Sequence, residues 1–185
     1  SIFIRGLDLG GSLTDANSDL AGAATGTATK TINLTPLADA PVLAGAGQTL
    51  AYTEQGTAAV IDATVNVASD ADDTQISGAT VTISAGLTSG DVLSLATQNG
   101  ISGSYNSGTG VLTLTGTTTL ANYTTALQSV KFNSTSDDPT ATSTSRTITW
   151  QVTDANSDAA GAAASNSVTS TINITAVNDA PTLTG

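Results

Sequence analysis

The residues best able to do chemistry here are carboxylates, and their spacing is uneven. Asp70, Asp72 and Asp73 stand within four positions, Asp154 and Asp158 bracket Ala155-Asn156-Ser157, and Asp179 follows Asn178. Glu54 is the single glutamate, and Asp15 and Asp39 precede it in the chain. An Asp-x-Asp on extended backbone sets two carboxylates on one side about 7 Å apart, and several such groups converging from separate loops are what calcium, with its six to eight oxygen ligands, requires. The chain has no His and no Cys. It therefore offers no imidazole for proton transfer at neutral pH, no thiolate nucleophile, and no nitrogen or sulfur ligand for zinc or copper. A cation held here is expected to be a hard one, with calcium first. Asp137-Asp138-Pro139 reads as a turn.

Catalysis finds little support in this inventory. A glycosidase needs one carboxyl with a raised pKa inside a cleft, whereas the acidic residues here cluster in turn-like stretches. No enzyme activity is expected. The net charge of -11 and a pI near 4.1 oppose contact with nucleic-acid phosphates and anionic membrane surfaces. No apolar run approaches the roughly 18 residues that would cross a bilayer, so membrane insertion is not expected. With 39% hydrophobic and 10% charged residues, the chain is expected to fold rather than to behave as a self-repelling coil. The beginning at Ser1 reads as a processed product or an excerpt of something longer.

The elements that must position these groups are strands. Aromatics make up 3% of the chain, leaving a core of Val, Ile, Leu and Ala with Thr on the strand surfaces. Alternation predicts strands near Gln48 to Thr53, Val60 to Val67, Ala79 to Ser84, Val92 to Ala96, Val111 to Thr115, Ser129 to Phe132, Arg146 to Thr153 and Val168 to Ala176. Asn99-Gly100 and Asn106 to Gly110 read as hairpin turns. From Leu120 through Tyr123 to Leu127 the apolar spacing becomes three and then four, predicting a short helical segment. Trp150, alternating with Ile148 and Val152, reads as a core anchor rather than a sugar-stacking platform.

The sequence also repeats itself. Thr14 to Asp19 is identical to Thr153 to Asp158, Thr31-Ile-Asn-Leu-Thr35 is echoed by Thr171-Ile-Asn-Ile-Thr175, and Asp39-Ala40-Pro41 by Asp179-Ala180-Pro181. Asp15 to Asp154 and Asp39 to Asp179 set the period at 139 and 140 residues. Residues 1–40 thus read as the C-terminal strands of a preceding repeat, or as a donor-strand segment, and residues 41–185 as one full repeat ending in the next linker. Ile2 and Ile4, Leu7 and Leu9, and Ile32 and Leu34 alternate as strand residues, and a lone two-stranded ribbon needs another sheet to pack on or to join.

Several strings occur in a familiar order: Leu50-Ala-Tyr-Thr-Glu54, Ala68-Ser-Asp-Ala-Asp-Asp73, Asn99-Gly-Ile-Ser-Gly-Ser-Tyr105, Gly108-Thr-Gly-Val-Leu-Thr-Leu114, the Tyr123 to Phe132 segment, Val152-Thr-Asp154 and Val177-Asn-Asp-Ala-Pro181. This series resembles the cadherin-like tandem repeats of giant secreted bacterial adhesins. The resemblance implies an all-β, Greek-key Ig/cadherin-like β-sandwich, strung end to end with calcium at the junctions. It implies one ion group from Glu54, Asp70 and Asp72 of the full domain, Asp39 of the linker and Asp15 of the preceding segment, and a second from Asp154, Asn178 and Asp179 awaiting the next repeat.

Three functions follow as expectations. The first is a non-catalytic structural extender of a secreted, cell-surface or extracellular fibrous protein, partnered by neighbouring repeats of the same or identical chains and carrying a cell-surface or glycan target. The second is a filament subunit that polymerises by strand addition through residues 1–40. The third is an ice- or glycan-binding sandwich using the Thr pairs at Thr80 and Thr82, Thr113 and Thr115, and Thr147 and Thr149.

Overall fold

A computed structural model of the chain describes residues 33–157 and 159–180. The strands expected from Ile2 onward, and Asp15, lie outside the described residues, except that Asn33 to Thr35, including Leu34, are described and form no strand. The chain divides into two units, Ser1–Thr35 and Pro36–Gly185, and every element below belongs to the second.

That unit is built mostly of strands, in chain order β1 (Val42–Ala44), β2 (Thr49–Thr53), β3 (Ala59–Val60), β4 (Asn66–Ser69), β5 (Gln75–Ala85), β6 (Asp91–Ser94), β7 (Ser102–Asn106), β8 (Val111–Thr119), β9 (Lys131–Ser134), β10 (Ser145–Asp154) and β11 (Val168–Thr175). One helix, α1 (Leu120–Gln128), follows β8 directly. The strands form a six-stranded sheet in the order β2-β11-β10-β5-β8-β7, a three-stranded sheet β3-β9-β6 and a two-stranded pair β1-β4. In the large sheet only β2 and β11 run parallel; its other neighbours are antiparallel.

Strict alternation makes β10 the spine. Arg146, Ile148, Trp150, Val152 and Asp154 point inward and are buried, while the residues between them are half-exposed. β5 does the same through Ala79, Val81 and Ile83, after a register shift between Ile76 and Gly78. Residues from all three sheets and the helix meet in one core, with Trp150, Tyr123 and Phe132 its largest fully buried apolar members. Tyr52 meets Phe132 edge to face, with ring centroids 5.0 Å apart, a favoured aromatic geometry.

The helix begins where Thr119 caps it by accepting from the N–H of Asn122, and it buries Tyr123, Ala126 and Leu127 at the spacing of one helical face. The Tyr123 hydroxyl donates to the carbonyl of Gly116 at 2.7 Å, fixing α1 over the end of β8. Gly116 is required there: its φ is +132°, and a methyl group at this position would lie 2.1 Å from the Gly100 carbonyl oxygen.

The run Val60 to Val67, expected as one strand, is two. It is broken between β3 and β4 because Asp62 turns inward, and Thr64 donates to Asp62 Oδ1 through both its N–H (2.8 Å) and its hydroxyl (2.6 Å), a local pairing that competes with strand extension. Two strands had no expectation attached to them. β1 is three residues long, and β7 reads Ser-Gly-Ser-Tyr-Asn, a weak strand former held by its register with β8.

Candidate metal centre

Strand direction sorts the acidic residues into two groups. β11 spans about 25 Å, and its last residue, Thr175, pairs with Thr53 at the end of β2. β10 runs the opposite way, so Asp154 lies beyond the start of β11, opposite Ile76 at the beginning of β5.

At the end marked by Thr53 and Thr175, Glu54 is buried, 3% exposed. Its N–H donates to Thr175 O at 2.9 Å, and its Oε2 accepts from the N–H of Val177 at 2.7 Å. Glu54 Oε1 is buried and meets no donor among the described residues. Beside it, Gln55 Nε2 donates to Asp179 Oδ1 at 3.1 Å, and Asn178 Nδ2 to the Asp179 carbonyl at 3.3 Å. Asn178 and Asp179 are themselves exposed.

At the other end lies the loop between β4 and β5. Asp70 Oδ1 accepts from the N–H groups of Asp72 (3.3 Å) and Asp73 (3.1 Å), the bonding that lets Asp close a tight turn. This turn brings the Asp70 and Asp72 carboxyls against each other. Burial, and then the adjacent Asp72 carboxyl, push the pKa of Asp70 up, outweighing the two N–H donors. Asp70 Oδ2 is buried and meets no donor among the described residues. Asp72 Oδ2 accepts from the exposed Asp39, through its N–H at 2.9 Å.

Asp73 and Asp154 share this end but are satisfied by protein donors. Asp73 accepts from the N–H and hydroxyl of Ser157, and Asp154 from the N–H groups of Asn156 (3.1 Å) and Ala163 (2.7 Å). Asp137-Asp138-Pro139 lies in the loop into β10, where the Thr140 hydroxyl donates to Asp138 and Pro139 O accepts from Arg146.

The grouping expected from the resemblance is therefore redrawn. Glu54 stands a strand's length away from Asp70 and Asp72 and beside Asn178 and Asp179, whereas Asp154 stands with Asp70 and Asp72. The cause is the parallel pairing of β2 with β11, which carries the end of β2 to the outgoing linker. Asp15 is outside the described residues, and its repeat counterpart Asp154 is at the end away from that linker. Among the described residues, no three acidic side chains are gathered closely enough to hold an ion by themselves.

The oxygens at these ends nonetheless suit a hard cation. A buried anionic oxygen without a donor is costly, and two facing carboxyls repel unless a proton or a cation lies between them. Glu54 Oε1 and Asp70 Oδ2 answer to the first description, and the Asp70 and Asp72 pair to the second.

Two further buried carboxylates lay outside the sequence reading. Asp62 accepts from Gly47 N (3.1 Å), Gln48 N (3.0 Å) and the Ser170 hydroxyl (2.7 Å), which in turn accepts from Trp150 Nε1 (2.9 Å). Burial alone would raise the pKa of Asp62, but the donors from Thr64, Ser170 and Gln48 hold it below its ordinary value. Asp91 is ion-paired with Arg146 at 2.6 Å, both side chains being fully buried. A lone Asp beside a Thr at i+2 is a faint sign of the first, and no spacing signals the second. The chain matches no protein-family model and no curated protein.

Proposed function

We propose that the chain is a non-catalytic extender module of an extracellular or cell-surface fibrous protein, a Greek-key cadherin-like sandwich whose joints are stiffened by calcium. The linker aspartate carries this reading. Asp39 and Asp179 occupy the same place in the repeat. One fastens forward, by its N–H to Asp72 at the incoming end of the domain; the other fastens backward, by its side chain to Gln55 at the outgoing end. A linker tied on both sides by the same residue type suits a rod in which each unit contacts only its neighbours.

At the incoming end, Asp70, Asp72 and Asp39 would hold the ion; at the outgoing end, Glu54, Asn178 and Asp179 would. Each set is completed by oxygens of the adjoining repeat. The ion would supply positive charge between facing carboxylates, offsetting the repulsion of a chain carrying -11.

Calcium titrated against EDTA while following thermal unfolding tests this reading. A ligand that binds the native state preferentially raises the midpoint; an unchanged midpoint at saturating calcium would contradict the proposal.

A second reading, strand addition between chains through residues 1–40, has one observation in its favour. Thr31 to Thr35 matches Thr171 to Thr175 at four of five positions, with Leu34 in place of Ile174, and Thr171 to Thr175 forms the end of β11 between β2 and β10. A melting midpoint that climbs with protein concentration and ignores calcium would favour it.

A further inference from the structure

The outward face of the six-stranded sheet carries no charged side chain, although the chain carries -11. The alternation that buries Ile148, Trp150 and Val152 turns Thr147, Thr149 and Gln151 outward. Register then joins the strands into rows: Thr149 stands opposite both Thr169 and Thr82, and Thr113 opposite both Thr80 and Ser104. The Thr pairs legible in the sequence are thus neighbours on one surface.

The hydroxyls of this face are partly engaged within the sheet. Thr149 Oγ1 donates to Ser84 Oγ at 2.8 Å, Ser84 Oγ to Thr147 O at 3.2 Å, and Ser102 and Thr115 share a bond of 3.2 Å. A hydroxyl already bonded loses less when water is removed, and it has fewer free donors to offer a sugar. Both effects favour a protein surface over a glycan as the covering partner.

We infer that this face is a side-by-side contact between copies of the chain, sheet against sheet. The carboxylates of the described residues are buried, stand at the two ends or occupy the loop into β10, so two like-charged molecules meeting here bring none of these carboxylates face to face. Six strands about 4.8 Å apart, each presenting about 17 Å of length, give roughly 400 Å² per partner, half of the roughly 800 Å² typical of a stable complex. A single contact is therefore weak. It gains strength when many repeats align along two rods, and that last step rests on the extender reading.

The test is sedimentation equilibrium of the full chain at rising concentration, in EDTA and in calcium, for wild type, Thr149→Lys, Thr113→Lys and the turn variant Ser107→Lys. Each lysine lowers the net negative charge, so non-specific association would rise in all three variants. The contact predicts weak association of wild type in both buffers, an association constant at least about tenfold lower for Thr149→Lys and Thr113→Lys, and none of this loss for Ser107→Lys. Thr113 is exposed and supplies the answer if Thr149→Lys fails to fold. A strictly monomeric wild type would overturn the inference, as would equal effects of all three lysines. So would dextran shifting the amide resonances of β5, β8 and β10 in a protein that stays monomeric, which would mark a glycan surface. A chain indifferent to calcium leaves the inference standing, since the contact is measured without it.

Discussion

The main-chain N–H of Asp39 donates to Asp72 Oδ2 at 2.9 Å, tying the segment before β1 to the loop that holds two facing carboxyls. The linker and the acidic pair are thus one structural unit, so what happens to the charge on Asp70 and Asp72 is felt at the point where the chain enters the domain.

Asp70→Asn should stabilise the protein in EDTA and weaken its response to calcium. The pKa of Asp70 is raised, so between the ordinary value of 3.8 and its folded value the native state binds more protons than the unfolded chain. Its contribution therefore favours folding at low pH and is lost as pH rises through that window. Removing the charge removes the loss. Unfolding midpoints of the variant and wild type across this pH range, without calcium, check the sign; a less stable variant at neutral pH would contradict it.

Asp62 acts in the opposite sense. Its pKa is lowered below the ordinary 3.8, so its stabilisation is present above that value and is lost as pH falls through the folded pKa. Asp62→Ala strands donors from Gly47, Gln48, Thr64 and Ser170 and should cost about 3 kcal/mol or more. Because Ser170 also accepts from Trp150, the fluorescence of Trp150 should shift in the folded variant. Urea unfolding followed by that fluorescence reads both effects.

Asp91→Ala leaves Arg146 charged and buried, and should cost about 3–5 kcal/mol. Replacing both partners, as Asp91→Leu with Arg146→Met, should cost less than the single change. A double variant less stable than Asp91→Ala would show that the hydrogen bonds from Arg146 to Pro139 and Ser143, rather than the ion pair, dominate.

Gly116→Ala forces a methyl group to within 2.1 Å of the Gly100 carbonyl at a φ of +132°. The cost should be about 2–4 kcal/mol. Gly100→Ala meets no neighbouring atom within 4 Å and carries only the penalty of its own positive φ, so it should be the milder change by chemical denaturation.

The long strands were legible where they alternate, throughout β10, over Ala79 to Ile83 of β5 and over Val111 to Thr115 of β8, but not over Gln75 to Gly78 or Gly116 to Thr119; α1 was legible because Leu120, Tyr123 and Leu127 change period. What escaped was set by pairing rather than by the local pattern of residues. Nothing in Ser102–Asn106 demands a strand until β8 lies beside it, and nothing local places Asp91 against Arg146, 55 residues away. The acidic positions themselves were visible, but their grouping was not. It depends on β2 pairing parallel to β11, a relationship invisible to local spacing, and this pairing carries Glu54 to Asp179 instead of to Asp70.

Calcium held at the two ends of the domain is tested most directly by a calcium titration of the thermal midpoint for wild type, Asp70→Asn and Glu54→Gln, each referenced to EDTA. The expected result is a calcium-dependent rise for wild type that is reduced by either substitution, because each removes a carboxylate from a different end. A wild-type midpoint that does not move with calcium, or a rise that both variants retain in full, would contradict it.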